Sequence, residues 1–154
     1  MPASPSPILT TLTQLYDTRG DEVERWLAAQ RTIAQPFFST SVDLRHSGLR
    51  LAPVDTNLFP AGFQNLSPAA CARASRLIAR YMAEHHPTAQ RLLIIPESHT
   101  RNLPYLDNLA TLLTLFHEAG FEARIGSLTA QEQQPLELIS ARGAAVQQFP
   151  LMRH

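Results

Sequence analysis

Two polar stretches hold the side chains best suited to chemistry. One, DTNLFPAGFQN over residues 55–65, follows an extended segment ending near Pro53. The other, ESHTRN over residues 97–102, follows the apolar run Leu92–Ile95. With Asp43 and Arg45 they offer carboxylates, amides, an imidazole and the guanidinium groups of Arg45 and Arg101. Such a set suits an amino acid: arginine grips a carboxylate bidentately, while Asp and Asn oxygens accept from an ammonium. Asp43, Arg45, Asp55, Asn57, Asn65, Glu97, Arg101 and Asn102 are therefore the binding candidates, and no residue stands out as catalytic. A plainer reading stays open. Asp55 and Asn57 can simply form Asx turns, and Pro60 and Gly62 can simply shape a bend. Glu97 can be a base, a metal ligand or a solvated connector residue.

Other reactive side chains have ordinary explanations. No glycine-flanked elbow surrounds Ser98, so Ser98 or Thr100 reads as an N-cap for a helix from Asn102 onward instead of a nucleophile. His85 and His86 are adjacent, and neighbours on a helix point about 100° apart, which suits a helix C-terminus better than a shared metal ion. Cys71 falls on an apolar helical stripe and reads as core. The sequence contains no Gly-x-Gly-x-x-Gly, no phosphate-binding loop and no His-Glu-x-x-His, so the usual nucleotide and zinc signatures are missing. No metal site is expected.

Composition narrows the class. The 154 residues are 44% hydrophobic and 17% charged, enough for one core and too apolar for a disordered chain. Formal net charge is zero, which offers no general attraction to nucleic acid or an anionic membrane. All 13 basic residues are arginine. Without lysine there is no Schiff-base or phosphate-loop amine, so anions must be held by arginine, backbone amides or a metal. Cys71 is the single cysteine, which excludes an intramolecular disulfide and fits a reducing cytoplasm. No secretory signal or membrane-length apolar run is visible.

The elements that must position these side chains follow from periodicity. Residues 1–20 read as a tail and a short helix over Ile8–Tyr16, interrupted at Gly20. Asp21 and Glu24 have capping-box spacing ahead of a second helix ending before Pro36. Thr40–Leu44 and Leu49–Pro53 read as strands joined by a turn at Ser47 and Gly48. Ser67 and Pro68 start a helix that ends near His85 and His86. Leu92–Ile95 suits a strand buried on both faces. The amphipathic helix Leu106–Phe116 stops at Gly120, and Phe121–Ser127 is the next strand. Leu136–Ile139 and Ala144–Phe149 flank a turn at Ser140–Gly143. The expected fold is α/β: a three-layer, Rossmann-like domain over residues 21–154 with a mostly parallel sheet, a central βαβ unit and a C-terminal β-hairpin.

Four segments carry a resemblance. SVDLR (41–45), LAPVDTNLFPAGFQN (51–65), IPESHTRN (95–102) and AGFEARIGS (119–127) resemble the N-terminal part of a proteobacterial glutamate–cysteine ligase family. The resemblance runs from about Pro36 to the end, and the run APVDTNLFPAGF (52–63) is its most specific piece. It implies an ATP-dependent ligase that forms γ-glutamylcysteine in glutathione biosynthesis, with glutamate and cysteine as substrates. ATP and Mg2+ are implied as cofactors, bound mainly outside this chain. Members of the family are longer, so the resemblance implies a fragment, a truncated product or one part of a split enzyme, inactive alone, whose C-terminal part is a possible partner. The alternative is a non-catalytic small-molecule-binding or regulatory α/β module; a decayed remnant is a third reading.

Overall fold

The computed structural model describes residues 7–34, 37–48, 50–97, 102–127 and 134–151. Two compact units divide the chain, Met1–Pro60 and Ala61–His154.

In the first unit, helix α1 spans Pro7–Ile33, and Arg19 leaves helical backbone geometry (φ −131°, ψ 19°) within it. Two helical segments thus meet at a kink at Arg19, next to the interruption read at Gly20. Side chains bridge the break: Tyr16 Oη donates to Glu24 Oε1 at 3.0 Å, and Arg19 pairs with Glu22. No described residue of α1 is buried, and Trp26 is 62% exposed. Strands β1 (Ser41–His46) and β2 (Leu51–Asn57) form an antiparallel hairpin. The register changes between Asp43, opposite Asp55, and Leu44, opposite Pro53, leaving Val54 as an extra residue on β2. Proline cannot donate to a ladder, and a bulge is where a strand tolerates one. Both strands run beyond the stretches expected from sequence, and β2 extends through Asn57 into the polar loop.

The second unit contains a four-stranded sheet in the order β3-β4-β6-β5, with β3 at Arg91–Ile94, β4 at Glu122–Ser127, β5 at Leu136–Ile139 and β6 at Ala145–Pro150. The β3–β4 and β4–β6 pairs are parallel, and β5–β6 is the antiparallel C-terminal hairpin. Helix α2 spans Pro68–His85 and α3 spans Leu103–Glu118. The βαβ unit β3–α3–β4 and the hairpin are as the periodicity predicts.

Both helices cover one face. Ile78 and Met82 of α2 join Leu112, Leu115 and Phe116 of α3 over Ala123, Leu92 and Ile94. Leu106 and Leu109 pack on Ile125 and Val146. The strands alternate accordingly: Leu92 and Ile94 are half-buried while Arg91 and Leu93 are exposed. The α/β class holds, and among the described residues of this unit α2 and α3 form one helical layer on the sheet. The expectation that Leu92–Ile95 is buried on both faces is therefore corrected. Leu93 is 51% exposed because β3 is an edge strand with helices on a single side. On the open face Leu151 crosses Gly126 so closely that a Cβ there would lie 2.7 Å from Leu151 Cδ1. Arg124 stacks on the Phe149 ring at 5.2 Å and pairs with Glu122.

Candidate functional site

In the hairpin of the first unit, Asp43 and Asp55 are direct cross-strand partners. Antiparallel partners hold their Cβ atoms about 5 Å apart on one face, so the ladder brings two exposed carboxylates together. Asn57 Nδ2 donates to Asp55 Oδ2 at 3.0 Å, a side chain–side chain bond along β2 in place of the Asx turns that the sequence allowed. Arg45 lies opposite Ala52 beyond the bulge and is exposed. The described geometry thus groups Asp43, Asp55 and Asn57. Two carboxylates and an amide that share a face can accept from an ammonium group.

In the second unit the carboxyl end of β3 and the N-terminus of α3 meet around Tyr105. The Glu97 backbone N–H donates to Tyr105 Oη at 3.0 Å. Tyr105's own N–H donates to Asn102 Oδ1 at 3.3 Å, making Asn102 the N-cap of α3. This corrects the expectation of Ser98 or Thr100 as the cap. Asn102 takes that role because Pro104 sits in the first turn, so the helix begins at Leu103. Burial, the larger effect, holds the Tyr105 phenol above its ordinary range against the opposing hydrogen bond from Glu97. The phenol therefore stays neutral at physiological pH. Ser98, His99, Thr100 and Arg101 lie outside the described residues. In open α/β sheets this strand edge is where ligands bind.

Asn65 closes a short 3-10 turn over Phe63–Asn65, its N–H donating to Gly62 O. That turn is tied to α3 by residues that the sequence reading passed over. Asn108 Oδ1 accepts from Phe63 N at 2.9 Å, Asp107 Oδ1 accepts from Arg142 N at 3.1 Å, and Arg142 Nη1 donates to Gln64 O at 2.9 Å. Asp107 and Asn108 are 6% and 2% exposed. Two buried amide atoms, Gln64 Oε1 and Gln148 Nε2, have no partner among the described residues. A signal was present: Asn108 shares the helical face of Leu112 and Leu115, and Gln148 alternates inward with Val146.

The ordinary readings of the remaining candidates agree with the geometry. His85 Nδ1 donates to Tyr81 O at 3.0 Å and its ring stacks on Tyr81. Cys71 packs against the core and is a free thiol. The described residues contain no group of three His, Cys, Asp or Glu side chains able to hold a metal, and no described helix is long and apolar enough to cross a membrane. The sequence has no lysine and no glycine-rich phosphate loop. A groove of about 290 Å³ on the open sheet face is lined by Arg91, Leu92, Leu93, Glu122 and Arg124, none of them a sequence candidate.

Residues 14–154 match the family model GshA, glutamate-cysteine ligase. The chain belongs to the glutamate–cysteine ligase family. The match takes in the hairpin with Asp43 and Asp55, the polar loop, and the Glu97–Asn102 connector. A crystal structure from Methylobacillus flagellatus KT, provisionally named a gamma-glutamylcysteine synthetase, is similar over 100% of this chain at 36% identity and a TM-score of 0.80. The chain spans 36% of the length of that ligase-family relative. No curated protein gave a significant match. The resemblance read from the four sequence segments is thereby confirmed at the level of the family.

Proposed function

We propose that this chain supplies an amino-acid-binding part of a glutamate–cysteine ligase, the ATP-dependent enzyme that forms γ-glutamylcysteine in the cytoplasm for glutathione biosynthesis. The observation that carries the reading is the family match over residues 14–154, which includes every polar candidate. In the first unit Arg45 suits a carboxylate and Asp43, Asp55 and Asn57 suit an ammonium. In the second unit Arg101 suits a carboxylate, and Glu97, Asn65 and Asn102 suit orientation of polar groups. The amide bond would join the glutamate side-chain carboxyl to the cysteine amine. Activation would come from ATP and Mg2+ bound mainly outside these residues, whose sequence carries no glycine-rich phosphate loop. The remainder of a longer ligase is the natural partner, since the solved relative is nearly three times as long.

Calorimetry with glutamate, cysteine and Mg-ATP, each alone, tests this reading. Glutamate should bind without ATP, and the purified chain should not make γ-glutamylcysteine. ATP binding without glutamate binding would reverse the assignment. ATP-dependent synthesis by these 154 residues would show that the chain is a ligase by itself.

A further inference from the structure

We propose that Tyr105 is a positioning residue for Glu97, fixing from the core the backbone that carries this carboxylate to the substrate; this deepens, and rests on, the reading of Glu97 as part of the amino-acid site. Tyr105 works at both ends of the connector between β3 and α3. Its hydroxyl oxygen accepts the Glu97 N–H at 3.0 Å, and its own N–H donates to Asn102 Oδ1 at 3.3 Å. Its ring packs against the cluster of Leu106, Leu109, Ile125 and Val146, where the first two and last two are at most 1% exposed. The half-buried ring is packed on one side against this close-packed core, which restricts its rotamers, and its hydroxyl meets the chain beyond the end of β3.

Glu97 needs that support. The strand ladder ends at Ile94, and Ile95, Pro96 and Glu97 have no strand pairing. Pro96 fixes its own φ but has no N–H to donate. The Glu97 N–H is thus the connector's first main-chain donor after Ile95, and the tyrosine hydroxyl receives it. A site side chain is useful only when its backbone is held by neighbours locked in packing. Tyr105 supplies this by a polar tip on an apolar, core-anchored body. The neutrality of its phenol keeps the hydrogen bond constant across physiological pH.

The test uses the full chain and the variants Tyr105→Phe, Glu97→Gln and the double variant. Amide hydrogen exchange is followed by NMR and glutamate affinity by calorimetry. In Tyr105→Phe the Glu97 amide should exchange about tenfold faster while the amides of α2 and the rest of α3 are unchanged, as expected for loss of one hydrogen bond. Glutamate affinity should fall between about threefold and tenfold, and adding Tyr105→Phe to Glu97→Gln should cost no further affinity, because residues acting as a unit are not additive. Unchanged exchange at Glu97, an equal affinity loss in both backgrounds, or global unfolding of Tyr105→Phe would each overturn the proposal. Faster exchange at Glu97 in a chain whose wild type binds no glutamate would support the backbone anchor and overturn the binding function instead.

Discussion

Asn108 Oδ1 accepts the backbone N–H of Phe63 at 2.9 Å, a contact that spans 45 residues of sequence. The amide is 2% exposed and sits on the core-facing side of α3. It therefore satisfies the turn that precedes α2 from inside the core. Asn108→Ala removes the acceptor and leaves the N–H of half-buried Phe63 without this partner. Loss of about 1–3 kcal/mol is expected, measured by urea denaturation. A variant as stable as wild type would mean that water replaces the amide.

Gly126 is needed for space. A Cβ there would meet Leu151 Cδ1 at 2.7 Å and Cγ at 2.9 Å, and Leu151 is anchored by its N–H to Ser127 O at 3.1 Å. Gly126→Ala should destabilise by about 1–3 kcal/mol through overpacking. Leu151→Ala in the same chain should restore most of that loss, since it removes the clashing atoms. Thermal melts of the two single variants and the double variant read this directly.

Tyr105 makes stability depend on alkaline pH. Burial raises its folded pKa above the unfolded value of about 10. Its contribution is therefore fully present below that unfolded value and is lost as pH rises through the folded pKa, because the unfolded chain then releases the proton more readily. Denaturation midpoints of wild type should fall above about pH 10 more steeply than those of Tyr105→Phe. Parallel curves would show that the phenol is solvated.

Asp43 and Asp55 place like charges opposite one another across the β1–β2 ladder. Neutralising one by Asp43→Asn should stabilise the hairpin by about 0.2–1 kcal/mol. The same change should weaken glutamate binding if the two carboxylates meet its ammonium. Greater stability with weaker binding is the expected pairing, checked by melting and calorimetry on one preparation. Increased stability with unchanged binding would remove Asp43 from the site.

Much of the architecture was legible. Period-two and helical patterns located α2, α3, β3, β4 and the C-terminal hairpin, because each element has an apolar stripe or a turn residue that marks it. Ser67 capped α2 as read, its Oγ accepting from Ala70 N at 3.3 Å. The positive φ of Gly143 (81°) met the turn expected after Ser140. Periodicity was weakest where tertiary context chose between equals. The helix break fell at Arg19, one residue before Gly20, and Asn102 displaced Ser98 and Thr100 as a cap through its position before Leu103 and Pro104.

The amino-acid sequence by itself determined the α/β class, the family and the polar chemistry of the two loops, since these depend on composition, local spacing and an unbroken motif. Tertiary structure alone decided that Asp43 faces Asp55, because a one-residue bulge at Val54 sets that register. It also decided that both helices of the second unit share one sheet face, and that Tyr105, Asp107 and Asn108 serve the loops. A polar residue in a helix looks the same in sequence whether it meets water or a distant backbone N–H. Packing chooses between them, and packing joins residues that the sequence separates.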